Sequence, residues 1–440
     1  MSNALCNRHG VKPPQPQFER LWFTDYLAGV YREIELLYVE EMVHWTTGWL
    51  AKWPLNKRKG ILRSQEADEI RASDLHCMVK REDYIAIPTR ARLIQYYVNP
   101  ATQAEFGPQI TGLQKALTKL FYKRFVCEGI TVTFASGMNA LELGQWMDWA
   151  VESCAQVAFY ERDGKNWDAT MQEIHLDLKM EAYKCAGEDL LKYVAAGYQA
   201  TGRNPRGRFK YAINGTTKSG HNDTTLANTL NNAGIAVQAM RACGLRGHIL
   251  VAGDDMLAVV DGDFSLDEMV AEEAKSGIKP EARKFYRVQD VSFISGIWFD
   301  TTVGHVFTPK PGRLLRKLFW TVKPPPPKHR ARYLNGVVLG LLPVCAGMPV
   351  VEAFLRAHYT AGEKSTPGLS PREHWRVARS LDRSQMIGPF CTRYALTVPE
   401  VVALEESLLS HSGLVGIVRH PTIDKIVGVD LADLNDRPCY

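Results

Sequence analysis

A Gly-Asp-Asp tripeptide at 253–255 joins two short apolar runs, 249–251 and 256–260. Chance alone yields such a tripeptide in a chain this long roughly one time in ten, and Gly-Asp is itself a favoured hairpin turn. A turn does not call for a second acidic residue at its tip. Adjacent strand residues point to opposite faces, so one aspartate can aim at a ligand while its neighbour supports from the side. Far upstream, another apolar run, 157–160, leads into Glu161-Arg162-Asp163, and Asp168 follows five positions after Asp163. Carboxylates at neighbouring strand ends are hard oxygen ligands, which suit magnesium because it keeps several of its waters. Two such ions roughly 3.5–4 Å apart can activate an attacking oxygen and steady a leaving pyrophosphate. On this chemistry Asp163 and Asp254 bridge two Mg²⁺ ions, Mn²⁺ being able to substitute, and Asp255 assists.

Between these segments lies Ser219-Gly220-His221-Asn222-Asp223-Thr224, followed by Asn228. Thr224 and Asn228 are four apart and share one helix face. Asn228 lies about 200° round the helix from Leu226, opposite the apolar stripe of Leu226, Leu230, Ala233, Val237 and Met240. One reading of this ladder is an N-cap with a solvated face; the other is a polar edge offered to a substrate. Gly220 supplies backbone freedom where the chain approaches a nucleic acid closely.

The elements that must position these side chains are legible in outline. The two apolar runs around 253–254 predict a hairpin. Apolar spacing predicts helices over 111–124 and, from a capping box of Thr170 and Glu173, through Ala182. Residues 83–97 read as extended around Pro88, and 54–63 as an exposed basic loop. Pro324 to Pro327 mark a boundary, beyond which the sequence is mainly helical. The apolar run 337–355 holds Pro343 and Pro349, which predicts two short packed helices rather than a membrane span.

With 440 residues, 45% of them apolar, the chain can bury a large core and more than one compact unit. The net charge is +5, unevenly spread. No acidic residue falls between 301 and 351, where Lys310, Arg313, Arg316, Lys317, Lys323, Lys328, Arg330 and Arg332 stand; Arg203, Arg206, Arg208, Lys210 and Lys218 share a second acid-free stretch. Single-sign surfaces of this kind attract phosphate backbones. The nine cysteines are scattered with no Cys-x-x-Cys pair, which points to reduced thiols rather than zinc. Residues 1–16 lack the apolar core of a signal peptide.

Taken together, Asp163 and Asp168, the Ser-Gly-x3-Thr-x3-Asn run from Ser219 to Asn228, and Gly-Asp-Asp at 253–255 resemble motifs A, B and C of the RNA-dependent RNA polymerases of positive-strand RNA viruses, in order and in spacing. Val79-Lys80-Arg81-Glu82 with Arg90 and Arg92-Leu93-Ile94 resembles the basic motif F. Ser136-Gly137-Met138-Asn139 with Leu143-Gly144 is similar to the tombusvirus and nodavirus branch. Lys279 stands where motif D is expected, and Phe293-Ile294-Ser295-Gly296 resembles motif E, the primer grip. The sequence departs from that branch in the insert 164–167 and in Ile294, where a cysteine is usual.

The resemblance implies an α+β fold, a closed right hand with a small antiparallel palm sheet plus helices. Fingers would be built from 1–105 and 186–212, the palm from 106–185 and 213–308, and a helical thumb from 309–440. It implies RNA synthesis from NTPs on template RNA, with nascent RNA and other viral replication proteins as partners. The host cytoplasm is the expected location, at membrane-associated replication complexes, with membrane association indirect. Asp168 and Asn228, with Ser219 or Thr224 and Gly220, would contact the ribose. Lys80, Arg81, Arg90 and Arg92 would meet the triphosphate. Lys279, or else Lys284, would protonate pyrophosphate, while Phe293 and Ser295 grip the primer. A reverse transcriptase would place bulky aromatics where Asp168 and Ala252 stand. A non-catalytic RNA-binding scaffold would have lost metal carboxylates that are present here.

Overall fold

The computed structural model describes residues 2–10, 12–65, 73–80, 91–97, 101–204, 209–321, 324–361, 382–411 and 418–432. In chain order the first elements are helices α1 (Ser2–His9), α2 (Trp22–Gly29), α3 (Tyr31–Gly48) and α4 (Leu55–Gln65), then strands β1 (Asp74–Val79) and β2 (Leu93–Tyr97). Next come α5 (Ala101–Leu120), β3 (Arg124–Cys127), β4 (Ile130–Phe134), α6 (Ala140–Glu152) and β5 (Val157–Gly164). Three helices, α7 (Trp167–Thr170), α8 (Glu173–Tyr183) and α9 (Glu188–Tyr198), precede β6 (Gln199–Arg203) and β7 (Lys210–Asn214). The long helix α10 (Thr224–Ala242) leads to β8 (Gly247–Ala252), β9 (Asp255–Asp261), α11 (Leu266–Ala274) and β10 (Pro280–Phe285). The rest is β11 (Ser292–Phe293), β12 (Gly296–Thr301), β13 (Gly304–Pro309) and helices α12 (Pro311–Lys317), α13 (Arg330–Cys345), α14 (Val351–Ala357), α15 (Arg383–Tyr394), α16 (Val398–Leu409) and α17 (Pro421–Leu431).

The chain divides into two compact units, one of residues 1–80, 90–136 and 162–283, the other of 81–89, 137–161 and 284–440. In the first unit, the β3–β4 and β8–β9 hairpins lie side by side, and the ends of β5 and β10 that fall here extend the order to β10-β5-β9-β8-β4-β3. This sheet is mixed rather than the small antiparallel one expected. β4 runs parallel to β8, Ile130 opposite Gly247 through Phe134 opposite Val251. A parallel pair needs a crossover, and the long excursion between β4 and β8, which includes α10, supplies it. The central strands are covered on both faces: every residue of β4, and every residue of β8 but Ala252, is buried, and the polar Thr131 and His248 satisfy one another at 2.8 Å. A second sheet in this unit has the order β2-β1-β6-β7.

The second unit carries the antiparallel sheet β11-β12-β13 and a helical core that includes Phe299, Val351, Phe354, Phe390, Tyr394 and Ile426. Helix α6 starts on a capping box, Asn139 and Glu142 each satisfying the other's backbone N–H, a device worth about 1 kcal/mol. It packs against β13 so closely that a Cβ on Gly144 would stand 2.4 Å from the His305 carbonyl oxygen. The neighbouring Leu143 carbonyl accepts the Trp298 indole N–H at 3.0 Å.

Several local expectations give way. Residues 55–65 are the helix α4, opened by the Pro54 carbonyl accepting from Lys57 and Arg58; dense charge marks exposure, and lysine, arginine and leucine all favour helix. Helix α8 is capped two residues later than expected, by Gln172 and His175, while the Thr170 hydroxyl donates back to the Trp167 carbonyl. Asn228 is buried, because α10 is covered on nearly every face and has no solvated side at that position. The extended stretch 83–97 is described only from Ala91, where β2 follows. The apolar run 337–355 falls into α13 and α14, and among the described residues no helix is long and apolar enough to cross a membrane.

Candidate active site

The Gly-Asp-Asp turn is held from behind by α10. Gly253, at φ +65, adopts the left-handed backbone that lets β8 return as β9. Its N–H donates to Thr229 Oγ1 at 2.8 Å. The Asn232 amide donates to the carbonyls of Gly253 and Asp255, at 3.0 and 3.2 Å, clamping both sides of the turn. Asn232 is oriented in turn by Arg162, whose Nη2 donates to its Oδ1 at 2.7 Å. Arg162 also pairs with Glu273 of α11, Nε to Oε2 at 3.0 Å, and neither side chain reaches solvent. The guanidinium lies 4.9 Å from the centre of the Trp167 ring. A buried network ties the residue before Asp163 to the turn that carries Asp254.

Asp163 is the penultimate residue of β5, and its carboxyl is pushed up to about 6, by burial first and then by the charge of Asp254. The Arg162 guanidinium opposes that rise without cancelling it. Asp254 is exposed at the tip, although the protein around it displaces part of its water shell. That desolvation, and then the charge of Asp168, hold its carboxyl above the usual range; Arg92, just ahead of β2, pulls the other way. Two carboxyls from distant parts of the chain thus repel one another across a common space. A divalent cation relieves this repulsion, and the donors are the hard oxygens magnesium takes, so the pair fits such an ion.

The expected set of three carboxylates is not assembled. Among the described residues, no group of three or more His, Cys, Asp or Glu is placed to hold a metal. Asp255 opens β9 opposite Ala252, and its carbonyl is engaged by Asn232. Strand alternation separates it from Asp254.

Asp168 sits in a second cluster. Its Oδ1 accepts from Asn228 Nδ2 at 2.8 Å, and its Oδ2 from the Ser219 hydroxyl at 2.5 Å and from Arg8 Nη2 at 2.5 Å. Burial alone would raise this carboxyl; Arg8, Ser219 and Asn228 together overcome burial and hold it below the usual range. Thr217 Oγ1 donates to Asn228 Oδ1 at 3.2 Å, fixing which way the amide faces. Asp168, Ser219 and Asn228 therefore meet. Thr224 does not join them: its hydroxyl bonds the Lys218 and His221 carbonyls, closing the turn that opens α10.

Gly220, at φ +112, lies close against protein backbone. A Cβ there would stand 2.4 Å from the Gln95 carbonyl oxygen of β2. The Gln95 N–H donates to the Ser219 carbonyl at 2.9 Å, docking the strand on this loop. Lys80 and Arg92 face each other across β1 and β2, Lys80 N–H to Arg92 carbonyl at 2.8 Å. Arg81 and Arg90 lie outside the described residues. The Lys279 carbonyl accepts the Lys165 N–H at 3.0 Å, which puts Lys279 beside the loop that follows Asp163.

In the second unit, Ile294 and Ser295, both at positive φ, form the two-residue turn between β11 and β12. Phe293 is buried against Trp298, ring centres 6.4 Å apart, so the turn itself is the surface this hairpin offers. Glu161 accepts from both the N–H and the hydroxyl of Ser292, each at 2.8 Å, tying β5 to β11.

Sequence reasoning passed over Thr229, Asn232, Arg162, Glu273 and Arg8. Asn232 had a signal, since it continues the ladder Thr224–Asn228 by four more residues. Arg8 had none, being 160 positions from its partner.

No curated protein matches the chain. A family model described as RNA dependent RNA polymerase matches residues 42–327, a span that holds Asp163, Asp168, Ser219, Asn228 and the 253–255 turn. The match covers more than half of the sequence, and the chain belongs to that family, as an RNA-directed RNA polymerase and nucleotidyltransferase.

Proposed function

We propose that this polymerase works by two-metal nucleotidyl transfer, with Asp163 and Asp254 as the carboxylates that would hold the metals and Asp255 in support. The observation that carries the reading is the electrostatic coupling of Asp163 to Asp254, which raises a carboxyl that a divalent ion would restore to its charged form. Bound Mg²⁺, or Mn²⁺ in its place, supplies an activated primer 3′-oxygen and neutralises charge developing on pyrophosphate. The protein's own side chains orient the nucleotide. Asp168 and Asn228, braced by Ser219, receive the ribose 2′-hydroxyl, the group that separates NTPs from dNTPs. Arg92 and Lys80, with Arg81 and Arg90, meet the triphosphate, and Lys279 gives its proton to the leaving pyrophosphate.

The right-hand arrangement goes with this reading: fingers from 1–105 and 186–212, palm from 106–185 and 213–308, thumb from 309–440. Template and nascent RNA are the partners that the acid-free basic stretch 301–351 suits. The Ser136-Gly137-Met138-Asn139 segment favours the tombusvirus and nodavirus branch. Primer extension on an RNA template tests the proposal. Asp254→Ala should abolish synthesis and leave template binding intact. Wild-type rates in that variant, or a preference for dNTPs in the parent, would overturn it.

A further inference from the structure

We propose that Arg8, on the amino-terminal helix, is a positioning residue that holds Asp168 in the form that recognises the ribose 2′-hydroxyl. The inference rests on the sugar-reading role given to Asp168 above.

A single atom, Arg8 Nη2, donates to Asp168 Oδ2 at 2.5 Å, Ser219 Oγ at 2.7 Å and the Thr217 carbonyl at 2.8 Å. An ionised carboxylate offers about four acceptor positions. Arg8 and Ser219 fill both on Oδ2, and Asn228 fills one on Oδ1. Among the described residues, one position remains, on Oδ1, for an incoming hydroxyl. The guanidinium also sets the Ser219 rotor. A hydroxyl that accepts from Arg8 has its only hydrogen left for Asp168, so the two contacts enforce one another. Asp168 is largely buried, its side chain 17% exposed, and burial favours the neutral acid. A neutral acid would present a donor where an acceptor is wanted. The cation keeps it charged.

Helix α1 is built to deliver this contact. Ala4 is buried with Cys77 of β1 and Leu93 of β2. The Asn7 amide donates to the Ala91 carbonyl at 3.3 Å, and the His9 ring lies tilted against Tyr211 of β7, ring centres 5.2 Å apart. The same β2 docks on Ser219 through Gln95. Helix and strand therefore converge on the two residues that brace Asp168 from behind. The plain alternative is an ion pair that merely fastens the first helix. It differs in what it moves: a fastening would change stability and all nucleotides alike.

The test uses the full chain with Arg8→Met and Arg8→Lys, measuring kcat and KM for each NTP and its dNTP on a primed RNA template. Arg8→Met should raise the KM for NTPs, leave dNTP kinetics nearly unchanged, and shrink the NTP-to-dNTP preference about tenfold, the worth of a charge-assisted hydrogen bond. Arg8→Lys, still a cation with three donors, should keep most of the preference. Should Arg8→Met fail to fold, Arg8→Gln keeps length and a donor without charge, and a reduced preference there supports the proposal. An unchanged preference in whichever of Arg8→Met and Arg8→Gln folds, or equal losses with both sugars, overturns it. Asp168→Asn separates the two readings. If it erases the preference while the neutral Arg8 variant keeps it, only the role of Arg8 falls; if it leaves the preference intact, the sugar-reading role of Asp168 falls, and this inference with it.

Discussion

Arg162 and Glu273 form an ion pair from which solvent is wholly excluded, Nε to Oε2 at 3.0 Å, with Arg162 immediately before Asp163 in β5. Such a pair is poor evidence of net stabilisation, because removing two charges from water costs nearly what their attraction returns. Breaking it is another matter. Glu273→Ala leaves a buried guanidinium alone and should cost about 3–5 kcal/mol in urea unfolding. The double variant Arg162→Met with Glu273→Met should recover most of that loss. It should not recover synthesis, because Asn232 Oδ1 loses the donor that orients it. Full activity in the stable double variant would show that the network serves folding alone.

Asp163 gives a pH prediction whose sign can be worked out. Its carboxyl rises from the ordinary 3.8 to about 6 in the folded chain. Between those values the unfolded state has released the proton and the folded state still holds it. Stability therefore falls as pH rises through that window, by on the order of 3 kcal/mol, and the loss is complete above it. Melting curves without divalent ions should show a larger fall in the parent than in Asp163→Asn, where only the raised Asp254 carboxyl remains, and the variant should be the more stable protein above pH 6 and inactive, a trade of stability for function. Magnesium should return the lost stability to the parent alone. Identical pH profiles for the two proteins would remove the basis for pairing Asp163 with a metal.

What the sequence made legible follows from range. The hairpin at 253–254 and the helix after Ser219 are written in neighbouring residues, as apolar alternation and helical spacing, so both could be read directly. That Asp163 and Asp254 share a space was an inference from chemistry, since no local pattern encodes a contact across β5 and β9. The burial of Asn228 was misread for a related reason. Polar character normally marks a solvated face, but here the polar groups satisfy one another: Asn228 on Asp168, Asn232 on the turn, Thr229 on Gly253. The α4 segment failed because charge was taken for irregularity. Arg8 could not be seen at all, since a contact between the first helix and Asp168 leaves no trace in either stretch of sequence.

Gly220 tests whether β2 and the loop before α10 move as one. At φ +112 any side chain is strained, and a Cβ would also meet the Gln95 carbonyl at 2.4 Å. Gly220→Ala should cost roughly 1–3 kcal/mol for the backbone alone. To relieve the clash the strand must also withdraw, which breaks the Gln95 bond to Ser219 and carries Arg92 away from Asp254. The expected signature is a rise in KM for NTPs with template binding retained. A variant with unaltered KM would separate β2 from nucleotide binding.

Asn232→Asp isolates the clamp on the catalytic turn from its contribution to folding. The substitution is nearly isosteric and keeps, indeed strengthens, the contact with Arg162, so thermal stability should move by no more than about 1 kcal/mol. It replaces the amide donor with an acceptor facing the carbonyls of Gly253 and Asp255, which now repel it. The turn should shift by a fraction of an ångström to escape, taking the Asp254 carboxylate with it. Misplacement on that scale costs up to about 10²-fold in rate when reacting groups must align. The KM for NTPs should hold, because Asp168, Ser219 and Asn228 are untouched. Single-turnover incorporation measured beside a melting curve therefore distinguishes the two roles: a slow, stable enzyme places Asn232 in the positioning of Asp254, whereas loss of rate in step with loss of stability assigns it to the core.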